Sequence, residues 1–172
     1  MEIRHNEIYN ADSLNALKLV PGDSVDFIFT DPPYAINYFS KSREGLYNRK
    51  KENILNGYKE VPTDQYWSFS QKWLNEAFRI LTPSGTLAFT NPFNHLDLVL
   101  DAMKTAGFTY QNQIIWKYPT AQNTTKKFNT NHTNILIGVK DSKEAKFLPF
   151  CRYRKEECNS NGGKIHFIDK NS

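Results

Sequence analysis

The chain has 172 residues, of which 39% are hydrophobic and 14% aromatic, and its formal net charge is +4. This length fits one domain, and the apolar content is enough to bury a core. No stretch approaches the roughly 20 apolar residues of a membrane span, and the polar N-terminus lacks the apolar segment of a signal peptide. We therefore expect a cytosolic protein.

The cysteines predict no metal site. Cys151 and Cys158 could be imagined as ligands together with His166, but a zinc site needs four ligands at tighter spacing. Two cysteines in a cytosolic chain are usually plain thiols. We expect no metal cofactor.

The N-terminal segment predicts a short strand at 7–9 and then a helix. Asp12 is placed to cap this helix, which carries apolar residues at Leu14, Leu17 and Leu19.

An apolar run at 25–30 predicts a fully buried parallel strand, because it is short and rich in β-branched and aromatic residues. Pro32 and Pro33 follow at once, and proline cannot continue a central strand, so the chain leaves the sheet at Asp31. This is the strand end at which open α/β sheets bind ligands. Two prolines after a strand are usually only a stop signal. The alternative is a reaction site, in which the Asp31 carboxylate and the Pro32 carbonyl are held as rigid acceptors.

The rest of the chain alternates helices and strands, which favours an α/β layered domain. A long polar loop is predicted at 35–62, and loops of this length in compact domains are usually functional or disordered. The elements that follow are a helix at 65–81 closed by 82–85, a strand at 86–89, a helix at 95–106 with Asn94 as its cap and Gly107 as its end, and an antiparallel pair at 108–116 and 134–140. Asn91 should line the same edge as Asp31. The pattern weakens after residue 142, so we divide the chain into regions 1–142 and 143–172.

Two basic stretches with aromatic residues flank this edge. One contains Phe39, and the other, in the loop joining the last two strands, contains Lys126 and Lys127. Charge runs are more often solvated faces. Cations mixed with aromatic rings are also the composition that grips phosphates and stacks bases.

The sequence resembles the amino-DNA methyltransferases that use S-adenosylmethionine, in the circularly permuted group whose catalytic motif precedes the cofactor motif. The likeness runs through 8–14, 24–34, 73–87, 114–117 and 132–136. It implies a Rossmann-like sheet, S-adenosylmethionine as cofactor and double-stranded DNA as substrate. The implied activity is adenine-N6 methylation of the restriction–modification type. Cytosine-N4 methylation and a non-catalytic DNA- or partner-binding remnant are the alternatives.

The resemblance also implies roles for single residues. Asp31, Pro32, Pro33 and Tyr34 form the catalytic motif, in which the first two accept the amine hydrogens of the target base. Tyr34 stacks on the flipped base, with Phe39 on its other face. The alternative role for Tyr34 is that of a core aromatic.

Three residues are expected to contact the cofactor, namely Asp12, Thr30 and Asp31. Asp12 resembles the acidic residue that contacts the cofactor's adenine or ribose, and its alternative role is the helix cap alone. Lys126 and Lys127 are expected to contact DNA phosphates.

The family's Phe-x-Gly-x-Gly cofactor loop has no counterpart among the eight glycines. We therefore expect the sheet of this chain to be incomplete. We also expect 143–172 to be the start of a target-recognition or linker segment. A natural truncation, an expressed fragment or half of a split enzyme would each explain it. The strand at 25–30 would then have an unpaired edge, and the chain would form a homodimer or recruit a complementary C-terminal chain.

Overall fold

A computed structural model describes residues 3–35, 61–91, 93–119 and 130–146. Its regular elements are helix α1 (Ser13–Leu17), strand β1 (Val25–Thr30), helix α2 (Tyr66–Ile80), strand β2 (Leu81–Asn91), helix α3 (Leu96–Thr105), strand β3 (Thr109–Lys117) and strand β4 (His132–Val139). Short 3-10 turns at Thr63–Gln65 and Phe93–His95 lead into α2 and α3.

The four strands form one mixed sheet in the order β1-β2-β4-β3. β1 is parallel to β2, whereas β4 is antiparallel to both β2 and β3. The predicted α/β class and the predicted antiparallel pair are both confirmed. Among the described strands, β1 stands at one edge of the sheet.

The core lies between the helices and one face of the sheet. Trp73, Leu74 and Ala77 recur at helical spacing along α2 and are buried with Phe89 of β2 and Leu136 of β4. The Trp73 and Phe89 rings meet edge to face at 5.1 Å. Each large side chain buried in this way contributes about 1.5–3 kcal/mol of hydrophobic stabilisation.

Helix α3 ends at a glycine, as predicted. Gly107 has a φ of +102°, and its N–H donates to the Lys104 carbonyl, while the N–H of Phe108 donates to the Met103 carbonyl. These two bonds make a Schellman motif, which needs a left-handed residue after the helix. A side chain at Gly107 would also meet the Phe78 ring at 3.0 Å.

Three details of the predicted helices and strands are wrong. The segment 7–9 is not a strand: no described strand pairs with it, and Ile8 is fully exposed. Helix α1 ends at Leu17 and leaves Leu19 half-exposed in the turn that follows. Helix α3 begins at Leu96 without a side-chain cap, and Asn94 precedes it as an exposed residue.

Strand β1 is parallel but not fully buried, which also corrects the sequence prediction. Phe27 and Phe29 are each 58% exposed, whereas Ile28 packs against the core. Successive side chains of a strand point to opposite faces. The described helices cover only one of those faces, and the two phenylalanines lie on the other.

Strand β2 begins five residues earlier than predicted. Val25 pairs with Leu81 and Phe27 pairs with Thr86, so the intervening residues 82–85 form a bulge beside β1. The residues that predicted a turn therefore lie in a bulge within the strand.

Several sequence predictions fall outside the described residues. These are most of the loop at 35–62, most of region 143–172, and the residues Phe39, Lys126, Lys127, Cys151, Cys158 and His166. Within the described ranges, no helix is long and apolar enough to cross a membrane.

Candidate active site

The site begins where β1 ends. Thr30 pairs with Phe89 in the parallel β1–β2 ladder, so the next residues along the two strands, Asp31 and Thr90, lie side by side. The Thr90 hydroxyl donates a hydrogen bond to Oδ1 of Asp31. The Tyr34 hydroxyl donates to the same oxygen at 2.6 Å. One carboxylate oxygen therefore accepts two hydroxyl donors.

Thr90 is the member of this cluster that sequence reasoning missed. It lies 59 positions from Asp31, and no local motif marks it. The only usable signal was the expectation that Asn91, the next residue along the chain, lines the same edge as Asp31. That expectation does not give the strand register that brings Thr90 and Asp31 together.

Tyr34 is half-buried over the carboxylate. Burial raises its pKa above the usual tyrosine value, and the hydrogen bond to Asp31 raises the pKa further, against a smaller opposing effect of the Thr90 hydrogen bond. The phenol therefore remains a protonated donor at neutral pH.

The turn after Tyr34 is held by groups from other elements. Ala35 is buried and has a φ of +52°, a left-handed conformation that is unusual for a residue other than glycine. Its carbonyl accepts from the Thr63 hydroxyl at 3.4 Å and lies 3.3 Å from Nε2 of His95. These contacts fix the backbone that carries Tyr34.

A second polar pair lies at the end of β2. The Tyr66 hydroxyl donates to Oδ1 of Asn91 at 3.1 Å, and both residues are almost completely buried. Burial raises the pKa of Tyr66 to about 12. The Tyr66 ring also lies 4.9 Å from the imidazole of His95, measured between centroids. Asn91 and Tyr66 thus form a buried polar contact at the carboxyl end of β2.

A pocket of about 330 Å³ opens beside Asp31. Its wall comes from α1, α2 and the end of β1, and it is lined by Ser13, Leu14, Leu17, Ile28, Phe29, Thr30, Asp31, Pro32, Pro33, Phe69, Trp73 and Ala77. This size is at the lower end of that of small-molecule sites, and such sites are mostly apolar with a few polar groups. The pocket can thus hold a small ligand whose reactive end reaches the Asp31 carboxylate.

Asp12 performs the capping role that was its alternative. Its Oδ1 accepts the backbone N–H of Asn15 at 2.9 Å. Asp12 is absent from the pocket lining, although its neighbour Ser13 contributes to it. A contact between Asp12 and a cofactor stays a prediction.

Arg79 fixes helix α1 beside the pocket. Its guanidinium donates to the carbonyls of Leu17 and Val20 at 2.8 and 2.9 Å, and it pairs with Glu76 at 2.9 Å. The last carbonyls of a helix have no partners within the helix. Arg79 supplies a partner for the Leu17 carbonyl at the end of α1 and for the Val20 carbonyl in the turn after it, and so ties this segment to α2.

The structure thus places Thr30, Asp31 and the two prolines in the wall of the pocket, and Tyr34 on the Asp31 carboxylate. The sequence relationship decides what kind of protein this site belongs to. Residues 25–167 match the model of a family described as DNA methylase, N6_N4_Mtase. The chain belongs to this DNA methylase family.

One relative of the methylase is the DNA adenine methyltransferase YhdJ of Escherichia coli K12. It is 30% identical over 141 residues, which are 81% of this chain and 43% of YhdJ. The chain spans about two fifths of the length of curated relatives such as this one.

Solved structures share the fold of the methylase. The modification methylase TTHA0409 of Thermus thermophilus, complexed with S-adenosyl-L-methionine, has a TM-score of 0.53 at 20% identity, over 80% of this chain and 54% of that one. The cytosine-N4-specific PvuII DNA methyltransferase has a TM-score of 0.56 at 16% identity, over 80% and 49%. The expected methyltransferase-like α/β fold is thereby confirmed.

Proposed function

We propose that this DNA methylase transfers a methyl group from S-adenosylmethionine to the N6 amine of adenine in double-stranded DNA, in the cytoplasm and as part of a restriction–modification system. The observation that carries the proposal is the Asp31 carboxylate at the end of β1, with Oδ1 occupied by two hydroxyl donors. Asp31, Pro32, Pro33 and Tyr34 form the catalytic motif, in the permuted order.

The target amine is a poor nucleophile because its lone pair is delocalised into the ring. Asp31 and the Pro32 carbonyl can each accept one amine hydrogen, which localises that lone pair and aims it at the methyl group. Both acceptor groups lie between the end of β1 and Pro33. The paired strand and the prolines restrict the backbone there, so the acceptors are oriented before the base arrives. Positioning and electrostatic stabilisation of the developing charge then provide the catalysis.

The pocket beside Asp31 fits the methyl donor. It is mostly apolar, it has the size of a small-ligand site, and Asp31 is one of the residues that line it. S-adenosylmethionine supplies an electrophilic sulfonium methyl group. Thr30 and Asp31 would hold its reactive end, and Asp12, at the start of α1, would contact its adenine or ribose. The complex of TTHA0409 with the same molecule supports this choice.

The base must leave the duplex to reach Asp31. Tyr34 provides a half-buried ring beside the carboxylate, on which the flipped base would stack, and Phe39 would cover its other face. Lys126 and Lys127 would neutralise phosphates of the DNA.

Cytosine-N4 methylation is the second candidate. The likeness to the PvuII enzyme favours it, and the amine chemistry would be the same. The relationship to YhdJ, an adenine methyltransferase, and the aspartate at the head of the motif favour adenine.

None of the described strands pairs with the outer edge of β1, and this is the place at which a complete sheet would continue. A parallel sheet is normally covered on both faces, and its strands need neighbours. We assign this edge to a complementary methylase segment, contributed by the same chain or by a partner chain. A homodimer is the alternative.

The test of the proposed function is the Asp31→Ala variant, made in the natural gene product at its full length. Single-turnover methyl transfer to unmethylated duplex DNA should fall by about 10²–10³-fold, which is the typical loss for one electrostatic contact of a transition state. DNA affinity should stay within a few-fold, because the contact is used mainly in the transition state.

Asp26→Ala is the matched control. Asp26 is an exposed carboxylate on the same strand, and it accepts a hydrogen bond from Thr82 away from the site. This variant should keep the wild-type rate. Retention of more than about a tenth of that rate by Asp31→Ala would exclude the catalytic role of Asp31, since one such contact is expected to contribute far more.

A further inference from the structure

The two hydroxyl partners of Asp31 have different tasks in the proposed reaction. Tyr34 donates to Oδ1 and would also offer the face of its ring to the flipped base. Thr90 donates to the same oxygen and has no contact with the base in the proposed reaction. Thr90 is therefore the partner whose position does not depend on the base.

Thr90 is also the more rigidly placed donor. Its side chain is 4% exposed, it belongs to a strand paired on both sides, and its β-branched side chain has few rotamers. Tyr34, in contrast, lies in an irregular segment and is only half-buried. A hydrogen bond to an ionised acceptor is among the stronger ones in proteins.

We propose that Thr90 is a positioning residue for methyl transfer: its hydroxyl holds Oδ1 of Asp31, so that Oδ2 faces the amine of the target base. The inference rests on the proposed function and adds a residue to it. Without the Thr90 hydroxyl, only Tyr34 would hold Oδ1, and the carboxylate would present Oδ2 to the amine only part of the time. Misplacement by about 1 Å can cost up to about 100-fold in rate.

The test compares three variants of the natural gene product. Thr90→Val keeps the shape and removes the donor, whereas Thr90→Ser keeps the donor. Thr86→Val makes the same change on the same face of β2, beside Phe27 rather than Asp31. Single-turnover rate and DNA dissociation constant are measured for each.

Thr90→Val should lower the rate by about 10- to 100-fold with the dissociation constant unchanged, since positioning acts on the chemical step. Thr90→Ser should stay within about threefold of wild type, and Thr86→Val should match wild type, because neither loses the donor to Asp31. A Thr90→Val rate within about threefold of wild type, or a Thr90→Ser rate as low as that of Thr90→Val, overturns the inference, because the hydroxyl would then have no specific part in positioning.

A double-mutant cycle tests the contact without any activity. Urea unfolding is measured for wild type, Thr90→Val, Asp31→Ala and the double variant. Residues that share a hydrogen bond give non-additive free energies of unfolding, which is the expected result. A wild-type protein without methyl transfer would contradict the proposed function alone, whereas additive free energies in this cycle would overturn the Thr90–Asp31 contact.

Discussion

Tyr66 is a titratable residue in the core, where its phenol is buried beside the side-chain amide of Asn91. The hydroxyl donates to Asn91 at 3.1 Å, and burial raises the pKa of Tyr66 from the usual 10.0 to about 12. The folded state therefore retains this proton at a pH at which the unfolded chain releases it. Its contribution to stability is complete below pH 10 and is lost as the pH rises toward 12.

Tyr66→Phe should remove this pH dependence. Between pH 10 and 12, the wild-type free energy of unfolding should fall by roughly 2 kcal/mol more than that of the variant, since each pKa unit is worth about 1.4 kcal/mol. Urea titrations at a series of alkaline pH values measure the difference. Tyr110→Phe, at a half-exposed tyrosine, should keep the wild-type slope, and equal slopes for wild type and Tyr66→Phe would contradict the burial of this phenol.

Among the helices and strands, the ends of β1 and α3 were predicted correctly, because single residues determine them. Pro32 and Pro33 end β1 because proline cannot donate to a regular ladder, and Gly107 ends α3 because the backbone there is left-handed. The segment 7–9 has a strand-like sequence, but a strand forms only with a hydrogen-bonded neighbour. The sequence of 7–9 is therefore typical of a strand, but it does not show whether another strand lies beside it to pair with.

The residues of the candidate site also differ in whether the local sequence is enough to predict them. Asp31 and Tyr34 were predicted from a short motif because four consecutive residues define it. Thr90 was not, because its contact with Asp31 depends on the register of two strands that are far apart in the chain. The burial of Phe27 and Phe29 was overestimated, since burial of a β1 face depends on what packs over it.

Gly107→Ala tests the end of α3. The substitution places a side chain at a φ of +102° and against the Phe78 ring at 3.0 Å. We expect it to destabilise the fold by about 1–3 kcal/mol, measured by urea unfolding. Gly22→Ala is the matched control, because its new Cβ would meet the Arg79 carbonyl at an ordinary 3.4 Å. Equal stabilities of the two variants would show that the left-handed end is not required.

At the scale of the whole molecule, β1 is the unfinished side of the described sheet. Phe27 and Phe29 are 58% exposed on its open face, and none of the described strands pairs with its outer edge. Exposed apolar strand edges recruit other chains. The relatives, of which this chain spans about two fifths, contain further sequence that could cover this surface.

The 172-residue chain by itself should therefore self-associate through β1. Replacing Phe27 and Phe29 together with serine should shift the average mass in light scattering toward the monomer, because the apolar contribution to association is lost. Leu19→Ser, at a half-exposed leucine in the turn after α1, is the control and should leave association unchanged. A wild-type chain that remains monomeric at all concentrations would show that this edge needs no cover.

Modification of the adenine amine through Asp31 is tested by nucleoside mass spectrometry of DNA from a methylation-deficient host that expresses the natural gene product at full length. N6-methyladenine should be present with the wild-type protein and absent with Asp31→Ala. N4-methylcytosine in its place would contradict the adenine assignment, and DNA with neither modified base would contradict methyl transfer itself.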